Sequence, residues 1–346
     1  MKRSFFKGRK ALITGGAGFV GSNLARALVE AGADVTVIDN FHPDYGANVF
    51  NFTGIANKLR LVRGDITDRG LVAKLCAGAE TVFHAAAQCS HVDSMIDPWL
   101  DLDYNCRGTL SVLEGARASP LKPSVAYAGT RAIVGAPLEM PATESTLPNP
   151  VDVYGVNKHA AELYGAVYAR AYRVPFVSLR LTNSFGPYHQ MKSGKYGILN
   201  WFLGQALQGK PIRVFGTGEQ LRDYLYIDDA VDAFLRAGEF VAALATSPRA
   251  YPRARLAGEK IPYAVFNVGS GQGMKFADCA RRIVECVGSK LEFVPWPPER
   301  AAIETGDFIA DSALAGEILG WKPETAFEEG LKRTVAFYRE NLRHYL

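Results

Sequence analysis

In Lys10-Ala11-Leu12-Ile13-Thr14-Gly15-Gly16-Ala17-Gly18-Phe19-Val20-Gly21-Ser22 a short apolar run passes straight into a glycine-spaced turn. Leu24, Ala25, Ala27, Leu28 and Val29 follow at helical spacing. The reading is strand, turn, helix. Such a turn brings helix-terminal N–H groups to a pyrophosphate, and its glycines let the backbone approach closely. The spacing is Gly15-x-x-Gly18-x-x-Gly21, with Phe19 and Val20 opening the helix. A second strand, Ala33-Asp34-Val35-Thr36-Val37-Ile38, ends at Asp39-Asn40. An acidic side chain there accepts hydrogen bonds from a ribose diol and repels a 2′-phosphate. No Arg or Lys lies between Asp34 and Lys58 to neutralise one. The cofactor implied is NAD, not NADP.

Bulk properties narrow the class. The chain has 346 residues, 48% hydrophobic and 21% charged, as in a soluble globular protein with a sizeable core. Its 39 basic and 35 acidic residues are too balanced to point to nucleic acid. No apolar segment follows the basic start before Gly15, which argues against a signal peptide, and no apolar run is long enough for a membrane span. A cytoplasmic protein is expected. Five cysteines, odd in number and widely spaced, suggest neither disulfides nor zinc, and six histidines show no ligand pairing. No metal is expected.

Strand-like runs at 11–14, 34–38, 59–62, 81–84, 124–128 and 176–181 alternate with helical stretches. This alternation predicts an α/β fold, a Rossmann-type doubly wound parallel sheet. Helices are expected over about 102–116 and 154–172, and such long helices often pair across a twofold axis, so a homodimer is expected. After Asn183 the pattern breaks at Pro187, Gly194, Gly197, Gly209, Pro211, Gly216 and Gly218. The expected division is 1–182 for the cofactor and 183–346 for a smaller mixed α/β substrate lobe interleaved with late core elements. Residues 246–261, with Pro248, Pro252 and Gly258 among their basic side chains, suggest a surface loop.

Tyr154-Gly155-Val156-Asn157-Lys158 places a phenol and an ammonium on one helix face. The ammonium is expected to lower the phenol's pKa and make it a base near neutral pH. Ser124-Val125-Ala126-Tyr127-Ala128-Gly129-Thr130 ends a strand in a hydroxyl at the carboxyl edge, where ligands of such sheets bind. Thr130 and Tyr154 are the expected pair at one substrate oxygen.

Together these motifs resemble the extended short-chain dehydrogenase/reductases, specifically the nucleotide-sugar epimerase/dehydratase family, in its UDP-glucose 4-epimerase-like branch. The resemblance runs from Thr14 to about Pro323. It implies a Thr130, Tyr154, Lys158 catalytic triad. It implies cofactor contacts from Asp39, Asp65-Ile66, the Ala85-Ala86-Ala87 that follow His84, and Asn105. In the second half it implies that Asn183 binds the sugar diphosphate and that Arg222, in the loop running on from Phe215, holds a phosphate. Arg300 is a second candidate phosphate ligand. Phe308, two residues before Ala310-Asp311, falls where residue size gates acceptance of N-acetylated sugars.

Two departures shape the expectation. Family dehydratases carry Asp-Glu directly after the catalytic Thr, and decarboxylases a Glu near it. Here Arg131-Ala132 follows. Val134 stands before Gly135 where Tyr is common. The expected activity is therefore a nucleotide-sugar epimerase, most simply a UDP-glucose/UDP-galactose-type 4-epimerase working through a 4-keto sugar, with reusable NAD. The alternatives are a CDP-sugar 2-epimerase, a UDP-glucuronate 4-epimerase, a dehydratase or decarboxylase, and a reductase of the same fold.

Overall fold

The architecture comes from a computed structural model that describes residues 4–246 and 261–346. Seven parallel strands form the central sheet: β1 (Lys10–Thr14), β2 (Asp34–Asp39), β3 (Leu59–Arg63), β4 (Thr81–His84), β5 (Ser124–Thr130), β6 (Phe176–Leu181) and β10 (Tyr263–Val268). Their order is β10-β6-β5-β4-β1-β2-β3. Ala11, Leu12 and Ile13 are buried on both faces of β1, as expected of a strand covered on each side by helices. Leu12 pairs with Thr36 on one side and Val82 on the other. The strand order reverses between β1 and β4, so a crevice opens at their carboxyl ends.

All six expected strands are present. The seventh, β10, was not anticipated and comes from beyond residue 182. Helices α1 (Phe19–Glu30), α2 (Arg69–Ala77), α3 (His91–Ile96), α4 (Pro98–Leu102), α5 (Gly108–Ala118) and α6 (Val153–Tyr172) belong to the first half. The helix expected near 102–116 is interrupted by a single π turn, Asp103–Arg107. A buried ion pair, Arg180 to Glu162 at 2.6 Å, ties β6 to α6, and Ser178 adds a hydrogen bond to the same carboxylate.

The second half adds small sheets from β7 (Asn183–Phe185), β8 (Ile212–Phe215), β9 (Leu221–Tyr226), β11 (Gly273–Lys275) and β12 (Leu291–Val294). Asp223 joins them to the main sheet. Its buried carboxylate accepts from the backbone N–H groups of Ser270, Gly271 and Ala310 and from the Ser270 hydroxyl. The basic stretch 246–261 lies outside the described residues except at its two ends. All five cysteines are free, and among the described residues no cluster could hold a metal ion. Among those residues no helix is long and apolar enough to cross a membrane.

Candidate active site

One cleft runs across the carboxyl edge of the sheet. At its cofactor end are Gly15, Gly18, Phe19, Val20, Gly21, Asp39, Asn40, Ile66, Ala85, Ala86 and Ala87. Gly15 has φ +66°, and a Cβ there would stand 2.6 Å from Ala86 Cα. Only glycine allows that approach. Gly18 caps α1 without a side-chain hydrogen bond, which leaves first-turn N–H groups for an anion. Asp39 is held at the end of β2 by N–H groups of Ala17 and Phe41, at 2.9 and 2.8 Å. Burial raises its carboxyl pKa, so an incoming pair of hydroxyl donors is well matched to it. An uncapped helix start, a glycine cradle and a buried acid together fit a dinucleotide with a free ribose diol. Among the residues of the cleft, these are the ones that would hold NAD.

His84, which opens the alanine run, is not a ligand. Its Nδ1 accepts from the Thr14 hydroxyl at 2.7 Å and its Nε2 lies 3.0 Å from the Thr109 hydroxyl. Thr14 also takes the Ala86 N–H, so the ring orients the alanine loop against β1.

Thr130, Tyr154 and Lys158 meet in the middle of the cleft. Thr130 ends β5, while Tyr154 and Lys158 lie one turn apart at the start of α6, whose N-cap is Asp152. The Thr130 side chain lies close enough to Tyr154 to favour its ionised form, and its own hydroxyl oxygen accepts the Ala132 N–H at 3.1 Å. The electrostatics differ from the expectation that Lys158 makes the phenol acidic. Burial pushes Tyr154 well above its ordinary pKa, Cys89 adds to the rise, and Thr130 only partly opposes it. Burial likewise pulls Lys158 down to about 7, against the pull of Asp101. Its ammonium lies 4.1 Å from the centre of the Tyr127 ring. Desolvation outweighs the local pair because both groups are enclosed.

At the substrate end, Asn183, Phe215, Arg222 and Arg300 line the same cleft. The Arg222 guanidinium is ion-paired with Glu304 and donates to the Gly306 carbonyl at 2.6 Å. Arg300 donates to the Gly194 carbonyl at 3.1 Å and lies over the Phe215 ring.

Three expected contacts are placed elsewhere. Asp65 does not line the cleft. It accepts from Asn40 at 2.8 Å and so steadies a residue that does. Asn105 is buried in the π turn and donates to the Gln88 carbonyl and to Asp101, both at 3.0 Å. It fixes the loop after β4 from beneath. Phe308 is corrected outright: it is 1% exposed and clusters with Val134, Ala142 and Ala310. A ring enclosed in that cluster cannot sort substrates by size at the cleft.

The cleft also contains residues that the sequence reading passed over. His91 lines it, with its Nδ1 paired to Asp152 and its ring 5.1 Å from that of Tyr154. Arg131 lines it too, although its sequence position had signified only the loss of an acidic pair. The adjacency of Asp152 to Tyr154 and of Arg131 to Thr130 was the available signal.

Comparison with known proteins agrees with this geometry. The UDP-glucose 4-epimerase of Mycolicibacterium smegmatis is 31% identical over 95% of this chain and 98% of its own length. The UDP-glucuronic acid decarboxylase 1 of Xenopus tropicalis is 31% identical over 97% of this chain and 73% of its own. Among solved structures, the Thermotoga maritima UDP-glucose 4-epimerase with UDP-glucose matches with a TM-score of 0.82 and 31% identity, covering 96% of this chain and 99% of that one. Residues 11–251 match the NAD dependent epimerase/dehydratase family model, so the chain belongs to that family and NAD is its cofactor.

Proposed function

We propose that the chain is a nucleotide-sugar 4-epimerase acting on a UDP-glucose/UDP-galactose-type substrate through a transient 4-keto sugar. The observation that carries this reading is the meeting of Thr130, Tyr154 and Lys158 in a cleft continuous with the glycine cradle. Arg131 and Ala132 stand where an eliminating enzyme needs an acid and a base, which supports epimerisation over dehydration. Residues 1–182 carry the cofactor end and the catalytic trio, and 183–346 mainly shape the substrate end.

NAD, when bound, supplies the acceptor and later the donor of the C4 hydride, and in its oxidised form a positive charge beside the phenol. Tyr154 takes the proton of the C4 hydroxyl and returns it once the keto sugar has presented its other face. Thr130 fixes the phenol oxygen and shares the substrate oxygen with it. Lys158, at the buried base of the site, favours the phenolate when protonated. Asn183, Arg222 and Arg300 hold the diphosphate while the sugar turns.

The test is incubation of purified protein with UDP-glucose and UDP-galactose without added cofactor, with products separated by chromatography. Interconversion is expected, and Tyr154→Phe should lower turnover by at least about two orders of magnitude while NAD stays bound. Net NADH formation in step with product, or a dehydrated sugar, would overturn the reading.

We further propose a homodimer formed through α6. Val156, Leu163 and Val167 are exposed there at spacings of seven and four, on one face of the helix.

A further inference from the structure

Ala17 lies in the middle of the glycine turn and is fully buried. Both of its backbone polar groups are taken. Its N–H donates to Asp39 at 2.9 Å. Its carbonyl accepts the Asn48 N–H at 3.0 Å and the Asn51 Nδ2 at 2.8 Å. The two asparagines are held in turn by residues of the second half. Asn48 Nδ2 donates to the His344 carbonyl at 2.7 Å. Asn51 Oδ1 accepts the Tyr345 hydroxyl at 2.7 Å, and Asn51 Nδ2 also donates to the Tyr188 carbonyl at 3.2 Å. The glycine turn is thus braced, on the side away from the cleft, by segments far along the chain.

Packing fixes the brace. Asn51 is 0% exposed and Tyr345 2%. The His344 ring stacks on Phe50, with centres 3.9 Å apart. The Tyr345 ring meets Phe50, Phe337 and Tyr338 edge-on, at 5.8, 5.8 and 5.1 Å. These contacts place the ring, and its hydroxyl goes to one atom, Asn51 Oδ1. That oxygen has no other partner among the described residues. Nδ2 gives both of its hydrogens to carbonyls. An enclosed amide satisfied on every side holds one orientation. Without the phenol hydroxyl, Oδ1 would be buried with no donor.

We propose that Tyr345 is a positioning residue for the cofactor, acting through Asn51 on the Ala17 carbonyl. The N–H groups of such a turn must meet a pyrophosphate to within about half an ångström. Ala17 stands between Gly15, which abuts Ala86, and Gly18, which caps α1. Asp39 takes the Ala17 N–H. A shift at Ala17 therefore disturbs the first-turn N–H groups and the ribose acid together. The groups expected to touch the dinucleotide all lie in the first half, but the turn that presents them is supported from the second. The proposal is independent of the sugar and holds for any NAD-dependent reaction in this cleft.

The experiment follows release of NAD from NAD-loaded protein after dilution, with free NAD read by an enzymatic assay. Parent, Tyr345→Phe, Asn51→Ala and the double variant are compared. Tyr345→Phe keeps the ring and loses one hydrogen bond, so release should be about fivefold faster. Asn51→Ala should release at least about tenfold faster, and the double variant should match Asn51→Ala to within about twofold. UDP affinity of Tyr345→Phe, by calorimetry, should stay within about twofold of the parent. In turnover of UDP-galactose, half-saturating NAD should rise while the maximal rate holds. Parent-like release from Tyr345→Phe would overturn the proposal. So would effects that multiply in the double variant, because the hydroxyl would then act by another route. An equal loss of UDP affinity would show general loosening and overturn it too. If Asn51→Ala does not fold, Asn51→Ser replaces it, and Tyr345→Phe decides alone. Release needs no sugar, so it reads the brace even if the 4-epimerase assay shows no turnover.

Discussion

His84 is a residue whose charge state follows from its neighbours. Thr109 donates its own proton to the Asn105 carbonyl, so its oxygen can only accept from His84 Nε2–H. Thr14 accepts from the Ala86 N–H and donates to Nδ1. The ring is neutral with its proton on Nε2. Burial, helped by Lys158, pulls its pKa down to about 3, against an ordinary value near 6.5. Between these values the unfolded chain binds the proton and the folded chain does not, so the stability His84 contributes is lost as pH falls through that window. His84→Gln should lower the melting temperature at pH 7, at a cost of about 1–3 kcal/mol, and the gap to the parent should narrow as the pH falls towards 4. A gap that stays constant over that range would show that His84 is not held neutral. The Tyr154–Lys158 pair was legible because it is local: four residues on a helix share a face. Phe308 was not, because only the docking of Arg131 and Ala142 from distant segments shows that it is enclosed.

Among the elements, the glycine turn leading into α1 is the most readable and the least tolerant. A Cβ on Gly21 would collide with the Gly15 carbonyl oxygen and lie 2.6 Å from Gly16 Cα. These are backbone atoms, so the turn itself would have to move. Gly21→Ala is expected to cost about 1–3 kcal/mol and to reduce NAD in the purified protein below about a tenth of the parent ratio. Cofactor released on denaturation, measured against protein, checks this; a parent-like ratio would mean that the turn does not hold the dinucleotide. The six anticipated strands were legible because each is a short run bounded by breaks in the apolar pattern, in regular alternation with helical stretches. Strand β10 escaped because it follows a long break in the alternation, and because all six of its positions are buried, it shows no period of two. The π turn at Asp103–Arg107 also left no trace, since an extra residue in a helical turn changes the register of the hydrogen bonds rather than the kind of side chain.

For the whole molecule, the exposed apolar stripe of α6 bears on assembly. A dimer joined there should dissociate in Val156→Glu/Val167→Glu, seen as a halving of mass by light scattering. A parent that is already monomeric at micromolar concentration would remove the premise. A different consequence follows from the seventh strand. Because β10 pairs along the whole of β6, from Tyr263 opposite Phe176 to Val268 opposite Leu181, the first half of the chain does not close its own sheet. A fragment ending at residue 182 would leave β6 as a long, apolar, unpaired edge open to sticking to other chains. The same holds for hybrids spliced at that point with a relative: every new tail would bring a new edge strand for the cofactor half. Shuffling of substrate ends among such proteins is thus constrained by the fit of six residues far from either ligand.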